Sequence, residues 1–318
     1  MESRDLRLSP SPDPELLFSV IVPFLNERRL LPECIQALEN QTLDRSRFEL
    51  IFVDNGSSDG SAEIVARSPQ ITILRETERD PYLARNRGIA AARGAYLAFL
   101  DADCIPNGDW LQTFWTEIQN SDPAIVMGYV AYPNRDSFFL RCYEEFYDQK
   151  LKHLMRRGLK RHFFGHAGNM VIRADVFREL GAFAPLPIVG DTEIIHRLLK
   201  HQPHATILYL DRARVLHAEV TNFRVCLSKL FDCGEYCETL SRISDYAPIP
   251  LIEKIRIFYG CVRDRKYGPS MVLATLVTLG VGWCSYVAGR TARFWFHARH
   301  RGARRSATAS RQRSAEEQ

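Results

Sequence analysis

A chain of 318 residues, 46% hydrophobic and 25% charged with a formal net charge of +4, is ordinary globular material, which excludes a wholly disordered chain and leaves room for one large domain with an appendage. The charge is unevenly placed: from Arg290 onward eight arginines stand against only Glu316 and Glu317, and the remainder is close to neutral. Such a tail suits an anionic membrane surface or nucleic acid, and its neighbours decide between the two.

The opening segment, MESRDLRLSPSPDPELLFS, is polar and proline-rich and lacks the apolar core of a secretory signal. Residues 1–15 are expected to be flexible, and the chain to start in the cytosol. A regular alternation follows. The apolar run LFSVIVP precedes a helical pattern near Leu30 to Glu39, FELIFVD precedes one near Ser61 to Ala66, and ITIL precedes one near Pro81 to Arg93, after which comes AYLAFL. This order predicts right-handed βαβ crossovers, hence an α/β fold whose mostly parallel, twisted sheet has helices on both faces. The runs are continuously apolar, as strands covered on both sides should be.

Beyond Asp109 the pattern loosens. A helix near Trp110 to Gln119 and a strand AIVMGYV lead into a long aromatic and basic stretch, Phe138 to Phe164. That stretch reads either as a lid or acceptor groove or as a surface helix whose aromatics pack on the sheet. Helices near Asp175 to Leu180 and Thr192 to His201 and a short strand ARVLH follow. With no repeat and no sharp boundary before about Ala247, one domain is expected over 16–245. An amphipathic, membrane-associated helical region is expected over 246–300, and a basic disordered tail over 301–318.

Ser270 to Gly289, SMVLATLVTLGVGWCSYVAG, carries no charge and has the length needed to cross a bilayer core. Basic residues flank it on both sides, so the positive-inside rule leaves a spanning, re-entrant or interfacial helix open. It does decide the tail's partner: a membrane, with no nucleic acid. The eight cysteines form no CxxC pair, and they are read as reduced thiols.

In open parallel sheets the ligand sits beyond the carboxyl ends of the strands, so the polar residues there carry the chemistry. SVIVP runs into Phe24-Leu25-Asn26-Glu27, LIFV into Asp54-Asn55-Gly56, and AFL into Asp101-Ala102-Asp103. Two carboxylates two apart in extended chain face the same way and repel unless a cation lies between them. A hard divalent ion, Mg²⁺ or Mn²⁺, is the natural occupant, with phosphate oxygens completing its shell. Asp54 opens a turn-rich loop where a carboxylate can bond a nucleobase or ribose, or merely cap the turn.

SVIVPFLNE, FELIFVDNGSSDGS, ARNRGIAAARGAYLAFLDADC and GNMVIRADVFRELGAF followed by GDTEIIHRLL resemble, in order, the signatures of family 2 glycosyltransferases of the GT-A fold. The resemblance implies an inverting, nucleotide-sugar-dependent enzyme. It implies that Pro23, Phe24, Glu27, Asp54, Arg85 and Asp101 bind the donor nucleotide, and that Asp103 and His217 hold the metal. The carboxylate near GDTE would be the catalytic base. Inversion needs a carboxylate on the acceptor side, apart from the metal, to take the hydroxyl proton. Asp191 fits, although Gly190 stands where many members have Glu, and Glu193 is close by. His166 and Asn169 are expected to line the acceptor side.

The absence of a Gln-x-x-Arg-Trp motif argues for a non-processive enzyme. The expected partners are a UDP- or GDP-sugar, a lipid-linked or polysaccharide acceptor, and the inner face of a membrane reached through the C-terminal helix. The alternative is a catalytically inactive, membrane-tethered nucleotide-sugar-binding protein. No G-x-G-x-x-G or P-loop is present, which disfavours dinucleotide oxidoreduction and P-loop hydrolysis.

Overall fold

Every residue of the first strand, β1 (Phe18–Phe24), is buried, which is why its sequence shows no polar alternation. The computed structural model describes residues 13–133, 137–186 and 188–316, with the stretch after 292 as backbone alone. Most of the expected flexible N-terminus and the last two residues of the tail lie outside this description.

β2 (Phe48–Asp54), β3 (Ile71–Arg75) and β4 (Tyr96–Leu100) run parallel to β1. The sheet continues through β5 (Cys104–Pro106), β6 (Ile125–Ala131), β7 (Asn169–Arg173) and β8 (Ile207–His217). Its eight strands are ordered β3-β2-β1-β4-β7-β6-β8-β5, with only β7 and β5 reversed. The sheet must curl. β4 and β5 are separated in the chain by Asp101, Ala102 and Asp103 alone, a link that reaches at most about 14 Å, yet they lie four strand spacings apart in the sheet order, about 19 Å if flat. The two acids therefore span the gap between the interior strand β4 and the edge strand β5 that curls back toward it.

Helices α1 (Leu31–Glu39), α2 (Ser61–Val65) and α4 (Trp110–Ser121) belong to one face, where Leu31, Leu38, Trp110 and Phe114 pack on Val20, Phe52 and Ala98. The other face receives α3 (Pro81–Ala91), α6 (Ala174–Leu180) and α7 (Gly190–His201) through Tyr82, Ile89, Phe177 and Ile194. Asp80 caps α3, its carboxylate accepting from the Tyr82 and Leu83 N–H groups, and Pro81 occupies the first turn.

The aromatic and basic stretch forms one helix, α5 (Phe138–Arg157). It packs against α8 (Phe223–Ile243), α9 (Leu251–Asp264) and α10 (Pro269–Glu316). α8 and α10 approach closely enough that a Cβ on Gly234 would lie 2.0 Å from the Tyr286 carbonyl oxygen, and one on Gly289 1.9 Å from that of Phe231. Only glycine fits this seam. The pattern on α10 is inverted relative to a soluble core helix: Thr275 and Thr278 are buried, whereas Leu273, Leu276, Val277, Val281 and Trp283 are exposed. Leu251, Ile252, Ile255 and Tyr259 of α9 are exposed as well. Among the described residues one helix, over Pro269–Ala292, is long and apolar enough to cross a membrane by length and composition.

Candidate active site

The carboxyl ends of β1, β2 and β4 open on a cleft of about 700 Å³. Pro23, Phe24, Glu27, Arg85, Asp101, Asp103, His166, Asp191 and His217 all line it, so the curl gathers nearly every residue expected from the sequence.

Asp101 has a cationic partner supplied by the chain itself. The Arg85 guanidinium, buried in the first turns of α3 and stacked 4.9 Å over the Tyr82 ring, pairs with Asp101. Burial raises the Asp101 carboxyl, but the Arg85 charge and the neighbouring His166 hold it below its ordinary value. Asp103 lies beside His217. Burial, then the Asp101 charge, push its carboxyl up to about 8.

His217 arrives from the end of β8, paired in register with Cys104 of β5. Its Nδ1 lies 3.3 Å from Asp103 Oδ2. Burial, reinforced by the Lys229 charge, pushes the His217 imidazole down to about 3, so the ring is neutral and has a lone pair to offer. His217 Nδ1 and Asp103 Oδ1 are both buried without a hydrogen-bond partner, an arrangement that costs free energy unless a cation completes it. Cys104 has its sulfur within 4.8 Å of the same ligand atoms. Burial keeps that thiol far above its ordinary range and protonated, which suits it poorly to a hard ion. The residues present therefore fit a divalent cation.

Asp191 stands in the first turn of α7, 7% exposed. Its Oδ2 accepts from the Ala167 N–H at 2.9 Å and its Oδ1 from the Thr192 N–H at 2.7 Å. The next residue, Gly168, comes so near Asp101 that a Cβ there would lie 2.7 Å from Oδ2. Two consecutive residues thus separate the Asp191 carboxylate from the Asp101 end. Gly190 has a packing reason: a Cβ would meet the Tyr82 ring at 2.8 Å, so the larger residue seen in many family members would not fit beside this tyrosine. Glu193 is not in the cleft wall and pairs with Arg197 at 3.1 Å.

One expectation is corrected. Asn169, expected on the acceptor side, is fully buried in the core, where its Oδ1 accepts from Trp110 Nε1–H and its Nδ2 donates to the Tyr129 and Ala213 carbonyls. No polar atom is left for an acceptor. Asp54 accepts from the Ser57 N–H at 2.8 Å, as a turn cap does, and the cleft wall beside it is formed by Asn55 and Arg79.

A profile of the family described as "Glycosyl transferase family 2" matches residues 19–181, half of the chain. The chain belongs to that family. It is 35% identical over 172 residues to the glycosyltransferase AglE of Haloferax volcanii, covering 52% of this chain and 55% of that protein. To the glycosyltransferase GlyG of Streptococcus pneumoniae it is 33% identical over 129 residues, 39% and 42% of the two chains. The alignments span about half the length of these curated relatives. Among solved structures, the mannosyltransferase PcManGT of Pyrobaculum calidifontis, in complex with GDP-Man and Mn²⁺, superposes with a TM-score of 0.55 at 19% identity over 90% of this chain and 78% of that one. TarS 1–349 of S. aureus, in complex with UDP, gives 0.52 at 17% identity over 76% and 69%. The fold is GT-A-like.

Two cations of this family 2 chain were not singled out by the sequence. Lys229 of α8 reaches Glu219 at 3.0 Å and His217 Nε2 at 3.4 Å. Lys150 of α5 also lines the cleft. Its signal was helical phase, because Tyr143, Tyr147 and Lys150 recur at i, i+4 and i+7 and all three face the same cavity.

Proposed function

We propose that the protein is an inverting, metal-dependent, non-processive glycosyltransferase that moves a sugar from a UDP- or GDP-sugar to a hydroxyl of a lipid-linked or polysaccharide glycan at the inner face of a membrane. One observation carries this reading. The reading is supported by one cleft lined both by Asp103 and His217, whose buried Oδ1 and Nδ1 lack partners, and by Asp191, a carboxylate held by the Ala167 and Thr192 N–H groups.

A divalent ion held by Asp103 and His217 would neutralise the leaving diphosphate. Lys229, next to His217, adds positive charge at that end. Arg85, fixed by Asp101 and Tyr82, faces the nucleotide, with Asp54, Asn55 and Phe24 as the base and ribose end. The acceptor hydroxyl enters beside Asp191, which takes its proton as the oxygen bonds the anomeric carbon and the bond to the diphosphate breaks on the opposite face. The fixed position of Asp191 limits the reorganisation needed. An oxygen-rich set with one imidazole suits Mn²⁺ better than Mg²⁺. The neighbours' GDP-Man, Mn²⁺ and UDP complexes agree with a metal-assisted nucleotide site. The exposed apolar faces of α9 and α10 support membrane contact by residues 246–300.

The test is calorimetric titration of the full chain with UDP and with GDP, each with and without Mn²⁺. Binding of one of them only with metal, with that dependence lost in Asp103→Ala, is the expected result. A folded protein that binds neither nucleotide under any condition would sink the reading.

A further inference from the structure

The cleft has a second cationic pole that the donor chemistry does not use. Lys150 projects from α5 with its ammonium 3.6 Å from the centre of the Phe164 ring and 5.5 Å from that of Tyr147. Those two rings pack edge to face, with centroids 5.1 Å apart, to form the floor beneath it. Among the described residues Lys150 forms no ion pair. The charged and titratable groups that act on it are Cys233, Lys254 and Cys237, with no carboxylate among them. Burial lowers its ammonium to about 8, the response of a cation in an apolar setting without a counter-ion.

Its place in the cleft decides what that counter-ion is. Lys229 feels Glu219, Asp103 and Asp101, and so belongs to the metal end. Lys150 feels none of these. Instead Cys233 feels Asp191, Lys150 and the neighbouring Asp232, and Phe164 immediately precedes the segment whose Gly165 and Ala167 N–H groups bond Thr192 and Asp191. Lys150 therefore stands on the acceptor side of the general base. Beyond Asp232 and Cys233 the cleft wall continues through Cys237, Leu240, Tyr246 and Tyr286, largely apolar and aromatic, to α8 and α10.

We propose that Lys150 binds an anionic phosphate carried by the acceptor, so that the acceptor is a phosphate-bearing lipid or lipid-phosphate-linked glycan whose apolar part lies along the α8 and α10 wall. This deepens the glycosyltransferase reading and rests on it. An ammonium on an aromatic floor holds a phosphate as a point charge, and the edge-to-face rings shield one side of that charge from water.

The test uses the full chain in detergent with farnesyl phosphate, farnesol and inorganic phosphate as probes, in wild type, Lys150→Met and Lys150→Arg. Wild type should bind farnesyl phosphate, Lys150→Met should bind it about ten- to a hundredfold more weakly, as the loss of one charged hydrogen bond implies, and Lys150→Arg should recover most of the loss. Farnesol should bind both proteins alike. The affinity for UDP or GDP with Mn²⁺ should be the same in all three, which also shows that the variants fold. Equal farnesyl phosphate affinity in wild type and Lys150→Met, or no binding at all, overturns the proposal. A parallel loss of nucleotide affinity assigns Lys150 to the donor and overturns it too, as does inorganic phosphate binding as tightly as farnesyl phosphate. If UDP and GDP fail to bind wild type while Lys150-dependent farnesyl phosphate binding persists, it is the donor reading that has failed.

Discussion

Replacing Asn169 with alanine separates a structural from a catalytic role at a position where the sequence points to catalysis. The ladder between β6 and β8 jumps from Gly128↔Leu210 to Tyr129↔Arg214, leaving residues 211–213 without partners in that ladder. Asn169 mends the gap: its Nδ2 donates to the Tyr129 carbonyl at 2.9 Å and the Ala213 carbonyl at 3.0 Å, while its Oδ1 accepts from Trp110 Nε1–H at 2.8 Å. Alanine would strand three groups in a fully buried site. At about 1–2 kcal/mol for each buried group left unpaired, the loss is about 3–6 kcal/mol, a large part of the roughly 5–15 kcal/mol that holds a domain folded. Urea denaturation followed by tryptophan fluorescence should show the midpoint falling accordingly. UDP or GDP affinity, measured well below the transition, should be unchanged. A stability change under about 1 kcal/mol together with a collapse of turnover at saturating donor would refute this account and return Asn169 to the acceptor side.

Asp191→Asn should lower transfer by about 10²–10⁴-fold, the usual yield of a general base, while leaving metal-dependent nucleotide binding intact; equal loss of both would mean that Asp191 serves the donor. Gly234→Ala should destabilise the chain by about 1–3 kcal/mol, the cost of overpacking, because its methyl would overlap the Tyr286 carbonyl oxygen. The same variant should make the α8–α10 seam more susceptible to limited proteolysis, and wild-type resistance and stability would show that the seam is looser than described.

The parallel half of the sheet was legible because β1, β2 and β4 are covered on both faces and their apolar runs end abruptly in polar residues. Asp101 and Asp103 followed from where those runs stop, whereas Arg85 and the base near GDTE, assigned to Asp191, came from the family resemblance. β5 was invisible, since three residues carry no periodicity, and most of β8 was hidden because its partly exposed residues break the pattern. Asn169 misled because its partners are the indole of Trp110, far away in the chain, and carbonyls freed by a register jump that no local pattern records. Arg85 as the partner of Asp101 was equally hidden, because no local pattern records that a side chain from α3 pairs with one of the two acids. Glu193 could be separated from Asp191 by helix geometry, since residues two apart do not share a face.

α5 joins the chemistry of the cleft to the C-terminal helices. One of its faces presents Tyr143, Tyr147 and Lys150 to the cleft. Other positions meet the C-terminal helices through polar contacts: His153 Nε2 with Glu253 Oε2 at 2.6 Å, Gln149 Nε2 with Asp264 Oδ2 at 3.3 Å, and Cys142 Sγ with Thr275 Oγ1 at 3.4 Å. Polar contacts of this kind fix register and orientation more than they add stability. α9 and α10 in turn direct their apolar side chains outward. If those faces rest on a bilayer, the orientation of α5, and with it the acceptor wall of the cleft, is set relative to the membrane surface. A lipid-borne acceptor would then approach Asp191 from the apolar side, whereas a nucleotide sugar enters at the polar carboxyl ends of β1, β2 and β4. The two substrates would reach one reaction centre from different phases, which gives a physical reason for a cleft that is aromatic and apolar toward Leu240, Tyr246 and Tyr286 and charged toward Asp103 and Lys229.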